Sequence, residues 1–307
     1  WRAWGRSLPG TLQAGTEHLG VFKQIAIVDQ QPQPGPPPAS PFAPLMLLGR
    51  SMLGFSRHLQ DFVALIGQLL LDFARLLRLP GDLPQREIFA NLYKSGVRAM
   101  PVTALVGFLI GVVLSYLSAL QLKQLGAEIY IVNILGLGII RELGPVLVAV
   151  LVAGRSGSAM TAQLGVMRVT EEIDALATMG VSSSLRLVFP KVVALAAAMP
   201  LLVLWACSIA IIGSMVVAQV QLDISYAFFF DSLPKVVPVA NLWIGLCKGF
   251  VFGILVALVA CHFGLRVRPN TESLSANTTA SVVTSITLVI LVDAVFAIAT
   301  RNVGIDV

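Results

Sequence analysis

The chain has 307 residues, of which 56% are hydrophobic and 12% charged, with a formal net charge of +5. An ordinary soluble domain carries roughly 25% charged residues, so this composition excludes one: several long segments lack a polar face and require lipid as solvent. The positive balance is small and comes without basic clusters interleaved with aromatics, which excludes a nucleic-acid partner and fits membrane orientation and lipid headgroups.

Residues 1–30 are ordinary in composition, with a short apolar run at Val21–Val28, and read as the tail of a separate module. The stretch 31–44, QPQPGPPPASPFAP, is an extended, semi-rigid proline-rich linker. Residues 45–79 have helical periodicity, with Arg50, Arg57, Asp61, Gln68, Asp72 and Arg75 within about 40° of one line and apolar residues on the other faces. Their uninterrupted apolar run, Phe62–Leu71, is too short to cross a bilayer, which takes ~20 residues. A long helix with a narrow polar stripe is expected to lie in the membrane interface, ending at Pro80-Gly81.

Residues 97–302 hold five expected spans: Ala99–Gln121, Ile129–Val166, Leu185–Val220, Val239–Phe263 and Ala276–Thr300. The second and third exceed the ~20 residues needed and must tilt, kink or project from the bilayer. The short loops that hold Arg86, Lys94 and Arg98, then Arg168 and Arg186, then Arg266 and Arg268 alternate with loops carrying only Lys123 and Lys235. This bias predicts a cytoplasmic N-terminus and a periplasmic C-terminus, with Arg301 dissenting.

The second span has features that an apolar helix does not need. Pro145 removes a donor and clashes one turn back, which predicts a kink near Arg141 and a protein-buried or water-lined site for the freed carbonyls. Gly154, Ser158 and Ala162 form one row of small residues and Gly157, Thr161 and Gly165 another, and such rows allow helix backbones to approach in lipid. Arg141, Glu142 and Arg155 are charges in an apolar segment, each costing at least ~2.5 kcal/mol at the bilayer centre. A structural ion pair, with Asp293 of the fifth span as a partner for Arg141 or Arg155, meets that cost, and so does contact with an anionic headgroup at Arg141. Beyond this span, Thr170 as N-cap, Glu171 and Glu172 at the positive end of the dipole and Gly180 as C-cap predict a short acidic helix of about nine residues.

No phosphate loop, HExxH, GxSxG or metal-ligand spacing occurs, so neither catalysis nor a metal is expected of this chain. Cys207, Cys247 and Cys261 read as core packing, and His262 as a lone structural histidine.

In the block RELGPVLVAVLVAGRSGSAMTAQLGVMRVTEEIDALATMG the chain resembles the MlaE-family permeases of MCE-type lipid ABC transporters. The likeness extends from about residue 45 to 304, taking in FPKVVALAAAMPLL and the span with Asp293. It implies an all-α membrane protein with an N-terminal interfacial helix and five transmembrane helices, assembled as a homodimer in the bacterial inner membrane. Two ABC ATPase subunits would bind ATP and Mg, and this chain would hold no cofactor. An MCE-domain assembly would sit on the external face and phospholipid would be the cargo. The resemblance assigns a coupling role to 170–180, with Thr170, Glu171, Glu172 and Asp174 toward the ATPase, and makes Arg141 and Glu142 candidates for the lipid pocket. Pro145, Gly154, Arg155, Gly157, Ser158 and Asp293 are left as structural intramembrane residues. Some relatives fuse a STAS-like domain before a proline-rich linker, which residues 1–30 would continue; otherwise a STAS-type regulator is separate. The rival reading is a secondary, proton-coupled transporter using Glu142 and Asp293 as a relay; a third is a membrane scaffold that moves nothing.

Overall fold

A computed structural model describes residues 43–78, 81, 83–180 and 182–303. The expected N-terminal module tail, and all but the last two residues of the proline-rich linker, lie outside the described residues. Chain contacts divide the protein into residues 1–57 and 58–307. The described part of the first unit is helical.

The elements are α1 (Ala43–Arg78), α2 (Gln85–Ser95), α3 (Met100–Leu125), α4 (Glu128–Val169), α5 (Glu172–Thr178), α6 (Ser184–Leu222), α7 (Tyr226–Val236), α8 (Val239–Leu265) and α9 (Thr271–Ala299). Among the described residues there is no strand. Five helical stretches are long and apolar enough to cross a membrane, and they include α3, α4, α6, α8 and α9. The sequence pattern names these spans in the right order; it passes over α2 and α7, which are shorter and lie in what read as loops.

The core sits where α4, α6 and α8 meet, around Val148, Val152, Leu195, Met199, Phe252 and Val256, each at most 1% exposed. The outer spans α3 and α9 have few buried residues. α3 closes on α6 because its small residues allow the backbones to touch. A Cβ built on Gly111 would lie 2.0 Å from the Ala210 carbonyl oxygen. Four residues on, the Ser115 hydroxyl donates to the Ser214 carbonyl at 2.9 Å, and the Ser214 hydroxyl donates either to the Gly111 carbonyl at 3.1 Å or back to the Ala210 carbonyl at 2.9 Å. This is the close small-residue contact that replaces a hydrophobic driving force in lipid.

α4 is one continuous helix interrupted twice by π-helical turns, Gly138–Leu143 and Ala153–Gly157. At the position where a kink was expected before Pro145 the helix widens into a π turn, and the Gly144 amide bonds to the Ile139 carbonyl, five residues back. Of the two small-residue rows, the second packs within the chain. Thr161 donates to the Ala260 carbonyl (3.0 Å) or to Ser281 Oγ (2.8 Å), and a Cβ on Gly165 would meet Leu274 and Val267. The first row looks outward: a Cβ on Gly154 would meet nothing within 4 Å, and Ser158 bonds back to the Gly154 carbonyl.

From His58 onward, α1 packs Leu65, Leu69 and Leu76 against a cluster with Leu164, Val188, Phe189 and Leu258. Asp61 pairs with Arg266. Leu70, Leu71, Phe73 and Leu77 remain exposed.

Candidate functional site: a charged layer between three spans

The first π turn presents Arg141 and Glu142 to α8 and α9. On α8, Asn241, Gly245 and Lys248 share one face by i, i+4, i+7 spacing. Gly245 brings that face against α4; a Cβ there would lie 2.5 Å from the Ile140 carbonyl oxygen. Lys248 is fully buried, and its ammonium lies 2.5 Å from Glu142 Oε2 and 2.9 Å from Asp293 Oδ1. The contact with Asp293 is at ion-pair distance but off the hydrogen-bonding direction, since Oδ1 has no hydrogen-bond partner. It is therefore held by Coulomb attraction alone.

Arg141, 6% exposed, extends the layer toward the C-terminal end of α9. Its guanidinium donates to Asn241 Oδ1 at 3.0 Å, to the Thr300 and Val303 carbonyls and to Thr300 Oγ1, and its Nε lies 3.5 Å from Glu142 Oε1. A cation at a helix C-terminus satisfies carbonyls without intrahelical donors and meets the negative end of the dipole. Asn241 and Lys248 are seven residues apart, as are Asp293 and Thr300, so the layer runs roughly 10 Å along the helix axes at 1.5 Å per residue.

Two cations and two carboxylates leave the layer neutral, which is how charges persist at membrane depth. Glu142 is the open member, its side chain 37% exposed against 0% for Lys248. The next residue, Leu143, lines a narrow apolar cleft with Val106, Ile110, Leu147 and Leu151, between α3, α4 and α6.

Asp293, expected beside an arginine, pairs with Lys248 instead, because α8 interposes its lysine between the α4 and α9 carboxylates. Arg155 lies apart, exposed, with Nη1 donating to the Arg98 carbonyl. Lys248 escaped the sequence reading, although one lysine inside the 27-residue apolar stretch Val239–Leu265 was the signal for it.

The acidic helix is shorter than its sequence pattern predicts, Glu172–Thr178. Thr170 closes α4 instead of opening α5: its hydroxyl donates either to the Val166 carbonyl (3.1 Å) or to Glu172 Oε1 (3.0 Å). A hydroxyl can bond back to its own helix, and that contact wins over the N-cap. Glu171 takes the left-handed conformation, φ 60°, between the two helices, and Gly180 follows α5 at φ 73°. Asp174 pairs with Arg168 at 2.5 Å. Thr170, Glu171, Glu172 and Asp174 are all exposed, while Ile173 anchors the helix.

Among the described residues no group of His, Cys, Asp and Glu could hold a metal ion. Cys207 and Cys261 are buried; Cys247, read as core, is exposed on the outward face of α8.

Long apolar helices around a charge-balanced layer define a multi-pass, all-helical membrane protein. The sequence matches the family described as Permease MlaE over residues 88–299, so the chain belongs to that family and is a transporter membrane subunit. It is 35% identical over 204 residues to a probable ABC transporter permease protein of Rickettsia bellii, covering 66% of this chain and 79% of that one. It is 31% identical over 234 residues to the probable ABC transporter permease protein slr1045 of Synechocystis, 76% and 87% of the two chains. It is also 28% identical over 219 residues to the Arabidopsis thaliana chloroplastic protein trigalactosyldiacylglycerol 1, 71% and 63% of the two.

Proposed function

We propose that this permease moves phospholipid, or a related amphiphile, between the bacterial inner membrane and an external MCE-protein conduit, driven by a partner ATPase. The observation that carries the reading is α5: a short helix between two long spans, with exposed carboxylates at Glu172 and Asp174, a third at Glu171 just before it, and one buried anchor, Ile173. That is a docking lever for two ABC ATPase subunits, which bind the ATP and Mg. On this reading the N-terminus and α5 are cytoplasmic and the Thr300 end of α9 periplasmic. Two copies pair through outward faces such as that of Gly154 and Ser158, and a STAS-type regulator, fused or separate, completes the assembly.

The lipid lodges against apolar walls beside the charged layer. Glu142, the open carboxylate, faces the cargo; Arg141, whose donors are taken inside the subunit, sets the position of Glu142 and the end of α9. Lipid as cargo draws support from the family and from an Arabidopsis relative whose name is that of a galactolipid. Closure of the two copies on ATP binding squeezes or re-exposes the lipid, with the motion entering through α5.

The test is fluorescent-phospholipid transfer from proteoliposomes containing the permease and its ATPase. Transfer should require nucleotide and fall at least tenfold when Glu171, Glu172 and Asp174 are all changed to Ala, with ATPase co-purification falling in parallel. Transfer that persists without nucleotide and collapses with the proton gradient would instead assign Glu142 and Asp293 to an ion-coupled transporter. Absence of any transfer by an intact complex would leave a scaffold.

A further inference from the structure

His262 reads as solitary in the sequence, but the fold gives it a partner 204 positions away. His58 Nδ1 of α1 lies 3.4 Å from His262 Nε2 near the C-terminal end of α8. Phe62 and Phe263 stand edge-on to the His262 ring, with centroids 5.5 and 5.4 Å away. The Asp61–Arg266 ion pair lies one turn further along both helices. The spans packed on this part of α1 contribute the apolar Leu164, Val188, Phe189 and Leu258 and the buried thiol Cys261, and the buried cation Lys191 is bonded to Gln163 at 2.8 Å.

We propose that the His58–His262 pair is an acid-released latch fastening the N-terminal helix α1 to the transmembrane core. Two neutral imidazoles hold each other because one ring N–H donates to the bare nitrogen of the other. The first proton added brings a cation into an aromatic box beside Arg266, whose carboxylate partner among the described residues, Asp61, is already engaged. A second proton leaves two N–H groups face to face: the hydrogen bond is gone and like charges replace it.

The sign follows from the surroundings. Burial and the Arg266 guanidinium lower the His58 pKa from its ordinary value, with Asp61 pulling the other way. The folded state thus resists protonation. The latch is fully present above about pH 6.5, the ordinary histidine value, and is lost as pH falls below it. What it governs is the attachment of α1 from His58 onward, where Leu65, Leu69 and Leu76 supply the rest of the grip.

The experiment is hydrogen–deuterium exchange on the full-length permease in nanodiscs, from pH 7.5 to 5.0, corrected for intrinsic amide chemistry. Exchange of residues 58–76 should rise at least fivefold across an acid midpoint, while the α6–α8 core stays protected. His58→Gln and His262→Gln should each flatten that step. Arg266→Gln should move the midpoint to higher pH and Asp61→Asn to lower pH, shifts that a merely structural contact would not produce. A flat wild-type profile overturns the latch, and so does a step that survives in His58→Gln. Should His262→Gln fail to assemble, His58→Gln and the two midpoint shifts decide the matter.

Discussion

The ammonium of Lys248 sits 2.5 Å from Glu142 and within ion-pair distance of Asp293, so one fully buried lysine of α8 joins carboxylates from the second and fifth spans. Removing either carboxylate leaves the lysine a partner; removing the lysine leaves two like charges facing each other.

Lys248→Met is therefore expected to be the most damaging single change in the layer. Breaking a buried pair from one side costs about 3–5 kcal/mol, here with carboxylate repulsion added. Thermal unfolding in detergent should show a large drop in midpoint. Glu142→Gln, at a side chain more than a third exposed, should cost well under half as much. Equal losses for the two variants would contradict the geometry.

Arg141→Lys keeps the charge but loses the planar fork that reaches Asn241, the Thr300 carbonyl and the Val303 carbonyl together. Hydrogen bonds to charged groups contribute about 1.5–3 kcal/mol each, so the last turn of α9 should fray. Amide exchange over residues 296–303 should accelerate at least tenfold, with α3 unchanged.

Gly111→Ala should force α3 and α6 apart, because the new methyl would collide with backbone at Ala210 rather than with a movable side chain. Overpacking of this kind costs about 1–3 kcal/mol. Within one subunit Gly154→Ala meets no neighbour, so melting of the unpaired subunit should be unchanged, or stabilised by up to about 1 kcal/mol through the helix preference for alanine. Melting both variants beside the wild type checks the contrast within one protein.

Glu171→Gly should be tolerated by the fold, since glycine adopts φ 60° without the steric cost paid by a side chain there. The melting midpoint should hold or rise slightly, while ATPase co-purification falls if the Glu171 carboxylate contributes to docking. Full retention of the ATPase by this variant would restrict the docking role to Glu172 and Asp174.

The spans were legible because lipid imposes a rule on each segment by itself: backbone groups must be satisfied within the helix, so about 20 apolar residues announce one. Short helices such as α2 and α7 obey no such rule, and they stayed hidden. The acidic helix was legible in its carboxylates and in Gly180, but not in its first residue, because Thr170 had a choice of two local bonds and composition cannot rank them. Likewise the Pro145 signal located the distortion in α4 without revealing that it would take the form of a π turn.

By itself the sequence determined that this is a helical membrane protein of five spans, and which charges have to be compensated. A buried charge must be neutralised wherever it lies, so Arg141, Glu142 and Asp293 stand out one at a time. Only the tertiary structure decided who compensates whom. Lys248 stands between Glu142 and Asp293, Arg141 reaches the end of α9, and His58 finds His262 across 204 residues, because partner choice depends on which helix faces meet. Those faces are set by the close contacts at Gly111 and Gly245 and by the π turn at Gly138–Leu143, and no local pattern along the chain encodes the meeting.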